Sequence, residues 1–131
     1  MKMDAIQQFL SADTFAVVSA SANTHKYGYK VFHALSASGR ETYPINPVTK
    51  EIDGKKVYST IADLPIVPQA LSIITPPEVT RQVIAEAIDA GVRHVWTQPG
   101  AELKLAGESA REAGINKIDD GSCILVLLAR E

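Results

Sequence analysis

Residues 15–30 read FAVVSASANTHKYGYK. Phe15, Ala16, Val17 and Val18 have the length and composition of a buried strand, and Val31, Phe32 and Leu35 continue the segment at helical spacing. Between them the small and polar residues from Ser19 to Lys26 turn a strand into a helix. Such a junction leaves backbone N–H groups unpaired where the helix dipole places about half a positive charge, so anions bind there. Ser19, Ala20 and Ser21 are small enough to let phosphates approach the main chain, while Ser21, Asn23 and Thr24 offer hydroxyl or amide partners and helix caps. A tight strand-to-helix turn without a ligand explains the same residues. Gly28 either lets the helix approach the strand or a ligand closely, or is a tolerated helix glycine. Neither G-x-G-x-x-G nor G-x-x-x-x-G-K-[ST] is present.

Upstream, Met3, Ile6, Phe9 and Leu10 recur at helical spacing, which predicts a short helix over 4–10 packed beside the first strand. Downstream, the long helix stops at Ser38-Gly39, and a second strand over 41–45 carries Pro44 where it is about to leave the sheet. Asn46-Pro47 follows. In a doubly wound fold this point meets a nucleotide's ribose and adenine, and NAD binders usually place an acid here. Asn46 stands in its place, which weighs against NAD; Asn-Pro is also an ordinary turn. Residues 50–56 (KEIDGKK) form a charged loop with a D-G turn, whose Lys50, Lys55 and Lys56 neutralise a ligand phosphate or stand as solvated surface. A short helix over 61–64 ends at Pro65.

Residues 70–74 read as the third strand. Thr75-Pro-Pro-Glu78 then reads as a T-x-x-E capping box opening a helix that buries Val79, Val83, Ala87 and Ile88 and stops at Gly91. Pro76 and Pro77 remove N–H donors, so this turn offers a stiff, partly apolar wall. A fourth strand over 92–97 leads through Gln98-Pro99-Gly100 to a helix over 101–113, then a fifth strand over 115–118. The turn over 119–123 ends at Cys123, and the apolar tail over 124–129 is a strand or a short helix. This alternation predicts an α/β fold: a Rossmann-like three-layer sandwich with a mostly parallel, doubly wound sheet of five or six strands. Its carboxyl-end loops converge on one crevice.

The 131 residues suit one domain over 1–131 with a sizeable core. A net charge of -2 offers no basic surface for nucleic acid, and no apolar run approaches the ~20 residues of a membrane span. One cysteine excludes an internal disulfide framework, and the N-terminus lacks the regions of a signal peptide, so the expected compartment is the cytoplasm.

Taken together, AVVSASAN, GYKVFHAL, RETYPINPVTKEIDGKKVYSTIADLP, AIDAGVRHVWTQPGAE and DDGSC resemble the stand-alone CoA-binding domain family, related to the CoA-binding half of the succinyl-CoA synthetase alpha subunit. The resemblance covers nearly the whole chain; the second-strand and fourth-strand segments, with their N-P pair and W-x-Q-x-G, are the specific ones. It implies coenzyme A or acyl-CoA as the ligand. It implies that Ser19, Ala20 and Ser21 line the diphosphate, and that Asn46, Pro47 and Lys50 meet the 3′-phosphorylated adenosine. It further implies that Thr75, Pro76 and Pro77 wall the pantetheine path, with Gln98 and Gly100 closing the site. The chain departs from the family at Ser19, usually glycine, at Thr75-Pro76-Pro77, where many relatives are basic, and at Gly121-Ser122 before Cys123.

A CoA ligase needs a phosphorylatable histidine in a second domain, for which this chain has no room. His25, His33 and His94 lack the spacing of a metal site or a nucleophile-base pair; His25 is placed to touch a phosphate, with Lys26 beside it. No G-x-S-x-G makes Ser19 or Ser21 a nucleophile. The expectation is a CoA-binding protein without catalysis of its own, as monomer or homodimer. The alternatives are an NAD(P)-binding redox protein or an interaction domain with a vestigial crevice. Cys123 is either an inert small residue or the site of a mixed disulfide with the CoA thiol.

Overall fold

The computed structural model describes residues 4–101, 108 and 110–131. Five parallel strands, β1 (Thr14–Val18), β2 (Glu41–Ile45), β5 (Ala70–Ile73), β6 (His94–Thr97) and β7 (Asn116–Ile118), form one sheet in the order β2-β1-β5-β6-β7. Between β2 and β5 lies a two-stranded antiparallel hairpin, β3 (Glu51–Ile52) and β4 (Lys55–Lys56). Asp53 and Gly54 turn it with φ of 51° and 77°, the pair of left-handed residues that a two-residue D-G hairpin requires. After the hairpin, Tyr58 forms a one-residue parallel bridge to Ile45, a rudimentary sixth strand outside β2. Tyr58 donates to the Pro44 carbonyl and its own carbonyl accepts from Asn46. Pro44 therefore directs its missing donor to the outer edge, where no ladder bond to β1 is lost.

Strand alternation divides the core between the two faces. Ala16, Val18, Leu71, Ile73 and Val95 point toward α3 (Pro77–Ala90), which buries Thr80, Val83, Ile84 and Ala87. Phe15, Val17 and Trp96 point to the other face, against Val31, Phe32 and Leu35 of α2 (Tyr27–Ala37), Phe9 of α1 (Ala5–Leu10) and Ile124 of α4 (Ile124–Ala129). Phe9 meets Phe15 and Trp96 edge-on, with centroids 5.6 and 5.3 Å apart. The result is the expected three-layer sandwich.

Three local expectations are corrected or resolved. The capping box expected at Thr75–Glu78 is not formed: α3 starts at Pro77, its N-cap is Pro76 at ψ 150°, and no side chain caps it. A residue preceding proline is pushed to extended backbone, so Pro77 holds Pro76 out of the helix and leaves Thr75 one position too early to cap. The Thr75 hydroxyl is buried instead against Thr80 Oγ1 at 2.8 Å, and Thr80 donates to the Ala101 carbonyl. Among the described residues a capping box is formed at α1, where Asp4 Oδ1 accepts from Gln7 N and Gln7 Oε1 from Asp4 N. That helix lies chiefly over β6 and β7, tied by Asn116 Nδ2 donating to the Ala5 carbonyl, and reaches β1 through Phe9 against Phe15. The apolar tail is a helix, α4, whose first N–H donates to the Gln98 side chain. The helix expected over 101–113 lies largely outside the described residues; Arg111 and Glu112 close a helical turn before Gly114.

Candidate functional site

The chain leaves β1 for β2 on one side and returns to β5 on the other, so the strand order reverses between β1 and β5. An open parallel sheet parts its loops at such a point and leaves a crevice beyond the strand ends. Because every strand of the sheet is parallel, the loops 19–26, 46–50, 74–76, 98–101 and 119–123 leave by the same rim.

The first loop is shaped by two unusual backbone features. Ser19 takes a left-handed conformation, φ 70°, which glycine adopts without strain. Gly28, in the first turn of α2, lies directly against it: a Cβ there would come within 2.0 Å of the Ser19 carbonyl oxygen. Gly28 is thus required for the close crossing of helix and loop. The N–H groups of Ser19 and Ala20 both reach the Ile45 carbonyl, and Ala20 is fully buried, so the anion-facing backbone begins at Ser21.

From there the polar side chains fold the loop on itself. Ser21 Oγ accepts from Asn23 N, and Asn23 Oδ1 accepts from His25 N, each at 3.0 Å. Asn23 and Ser21 do not cap α2, as the sequence reading allowed; the N-cap position is Lys26, and no side chain caps the helix. Thr24, His25 and Lys26 are exposed around that end. An uncapped helix start beside a lysine and a histidine is suited to an anion.

Asn46 organises the rim. Its Nδ2 donates to the Ala20 carbonyl at 2.8 Å, and its Oδ1 accepts from Val48 N and Thr49 N at 2.8 and 3.1 Å. The amide therefore stitches the second loop to the first, with its oxygen accepting twice and its nitrogen donating once inside the protein.

Two cavities open along the rim and share Thr75 and Pro76 as their common wall. The first, about 300 Å³, lies between Ser19, Pro47 and Ile45 on one side and Val79, Gln82 and Glu86 of α3 on the other. The second, about 480 Å³, runs from Thr75 and Pro76 past Pro99 and Gly100 to Tyr27 and Cys123. Of the residues singled out from the sequence, Ser19, Pro47, Thr75, Pro76 and Gly100 line these cavities. Pro77 begins α3, and Lys50 is exposed outside both linings.

Gln98 is fully buried. Its Nε2 donates to Ser72 Oγ, and its Oε1 accepts from Ile124 N at 2.9 Å and from the Tyr27 hydroxyl at 3.2 Å. It acts on the cleft through the groups it holds. Tyr27, which the sequence reading passed over, is the polar group at the far end of the second cavity, 2.7 Å from Cys123 Sγ. Burial first, then the contact with Cys123, pushes its phenol well above the ordinary range, so it remains a hydrogen-bond donor. Trp96 Nε1 donates to the Ser122 carbonyl and holds the Cys123 turn against the sheet. The other histidines serve elsewhere: His33 pairs with Asp53 of the hairpin at 3.1 Å, and half-buried His94 bonds Asn116, its imidazole pushed below its usual range chiefly by burial.

A doubly wound sheet with two cavities at its switch point and an uncapped helix after its first strand is a Rossmann-like domain. The chain belongs to the CoA binding domain family, whose model matches residues 13–129. The alpha subunit of an ADP-forming acetate–CoA ligase from Pyrococcus furiosus is 30% identical over 91 residues, 69% of this chain. The chain spans only 20% of that relative. A conserved hypothetical protein of known structure from the same organism is 37% identical, with a TM-score of 0.81 over 87% of this chain and 97% of the other. A hypothetical protein from Pyrococcus horikoshii superposes with a TM-score of 0.91 at 26% identity, covering 98% and 92%.

Proposed function

We propose that this chain is a single domain that binds CoA or acyl-CoA in the two-chambered cleft. The observation that carries the reading is the pair of cavities meeting at Thr75–Pro76 beside the uncapped start of α2. Their order matches a nucleoside joined through a diphosphate to a long arm. The adenosine occupies the smaller chamber between Pro47 and Val79. The diphosphate lies near Ser19 and Ser21, at the first turn of α2, with Thr24, His25 and Lys26 around it. The pantetheine arm runs along Thr75 and Pro76, past Gly100, and its thiol end approaches Tyr27 and Cys123. The residues fit such a ligand: the apolar chamber suits a base, and the dipole suits the diphosphate.

Within this reading the domain holds its ligand without transforming it, in the cytoplasm. It corresponds to the fifth of the ligase subunit that it matches. Melting the protein with and without ligand tests the proposal. CoA at about 100 times its Kd adds ~2.7 kcal/mol, which raises Tm by roughly 10 °C for a domain of this size. CoA and acetyl-CoA are expected to give such a shift and NAD to give none. A shift with NAD and none with CoA overturns the proposal.

A further inference from the structure

The smaller chamber has an unusual balance of charge for a ligand whose ribose carries a phosphate. Its base-facing wall is apolar, formed by Ile45, Pro47, Val79 and Val83, and Ser59 and Thr60 add hydroxyls at one edge. The one ionisable side chain among its described lining residues is Glu86, which accepts from Gln82 Nε2 at 3.2 Å. The nearby cations are directed elsewhere. Lys55 Nζ donates to Ser36 Oγ and lies over the Phe32 ring, and Lys56 lies over the Tyr58 ring. Lys50 and Arg81 are exposed and outside the lining, and the third loop presents Thr75-Pro76-Pro77.

A phosphate dianion placed in this chamber would face the Glu86 carboxylate and meet no cation among the described lining residues. Like charges a few ångströms apart in a partly dry pocket repel strongly. Ribose hydroxyls suit the same wall, since a carboxylate that accepts from a ribose hydroxyl is the usual acidic partner in dinucleotide folds. Here it comes from α3 rather than from the end of β2, where Asn46 is otherwise engaged.

From this we infer that the adenosine chamber reads an unphosphorylated ribose through Glu86, so that the cleft takes dephospho-CoA about as well as CoA. The inference rests on the proposed CoA-type ligand and refines which member of that class the site selects. The charged recognition then lies at the α2 end, on the diphosphate that the two ligands share.

Isothermal titration with CoA and with dephospho-CoA tests this. The expected result is a Kd for dephospho-CoA no more than threefold weaker than for CoA. A preference for CoA above threefold overturns the inference and leaves the proposed function standing; absence of binding by both overturns both. Glu86→Lys is expected to shift the ratio of affinities toward CoA by about tenfold, the equivalent of ~1.4 kcal/mol, and Glu86→Gln to shift it less in the same direction. If both variants fold and leave the ratio unchanged, the ribose does not lie against Glu86 and the assignment fails.

Discussion

Gly28→Ala isolates the contact on which the first loop depends. The added Cβ would lie 2.0 Å from Ser19 O and 3.1 Å from Ser19 C, and the obstructing atoms are backbone. Real Cβ atoms do not come closer than 3.0 Å, so helix and loop must part by at least 1 Å. Overpacking of this kind costs about 3 kcal/mol, offset by about 1 kcal/mol because alanine is the better helix former. The net loss is roughly 2 kcal/mol. With an unfolding entropy of ~2.1 cal/mol/K per residue, that lowers Tm by about 7 °C. Ligand affinity should fall further than stability does, by about tenfold or more, because the displaced segment carries the N–H groups assigned to the diphosphate. Thermal melts with titration of CoA measure both quantities. A Gly28→Ala protein as stable as the wild type, with unchanged affinity, would refute the close crossing.

Other substitutions separate the roles of neighbouring residues. Asn46→Ala removes three internal hydrogen bonds and strands the Ala20 carbonyl, so urea unfolding should show a loss of about 2 kcal/mol even without ligand. Asp4→Ala should cost about 1 kcal/mol as the true box is lost, whereas Glu78→Ala should cost less than ~0.5 kcal/mol, since only its dipole interaction goes. The folded state holds the Tyr27 phenol protonated above its ordinary range, so its contribution is complete below pH ~10 and is lost as pH rises beyond that, where the unfolded chain ionises first. Melts at pH 9 and 11 should therefore show a drop in the wild type that Tyr27→Phe reduces; an equal drop in the variant contradicts this. Tyr29 and Tyr43, also shifted upward, act in the same direction.

The alternation of strands and helices was legible because β1 and α3 advertise themselves locally, by an unbroken apolar run and by apolar residues at helical spacing. The rim was legible for the same reason: once the strands are parallel, their following loops must gather. Properties set by distant partners were not. Thr75 followed by Glu78 satisfies the pattern of a capping box, and only the backbone that Pro77 forces on Pro76 shows why it cannot form. Gln98 looks like a site residue by position, yet its side chain turns inward to hold Ser72, Ile124 and Tyr27. Tyr27 was missed because its partner Cys123 lies 96 residues away. The place of α1 over β6 and β7 depends on strand order, which no local pattern encodes. Six apolar residues over 124–129 fit a strand or a helix equally; the N–H that Ile124 gives to Gln98 accompanies the helix.

Mapping backbone amide resonances during titration with CoA tests the central claim most directly. If the cleft holds the ligand as described, the largest changes fall on 21–28, 59–61, 74–79, 99–100 and 123, and the surface of α1 stays unchanged. Changes concentrated on α1 and the exposed side of α4, with the first loop undisturbed, would contradict it.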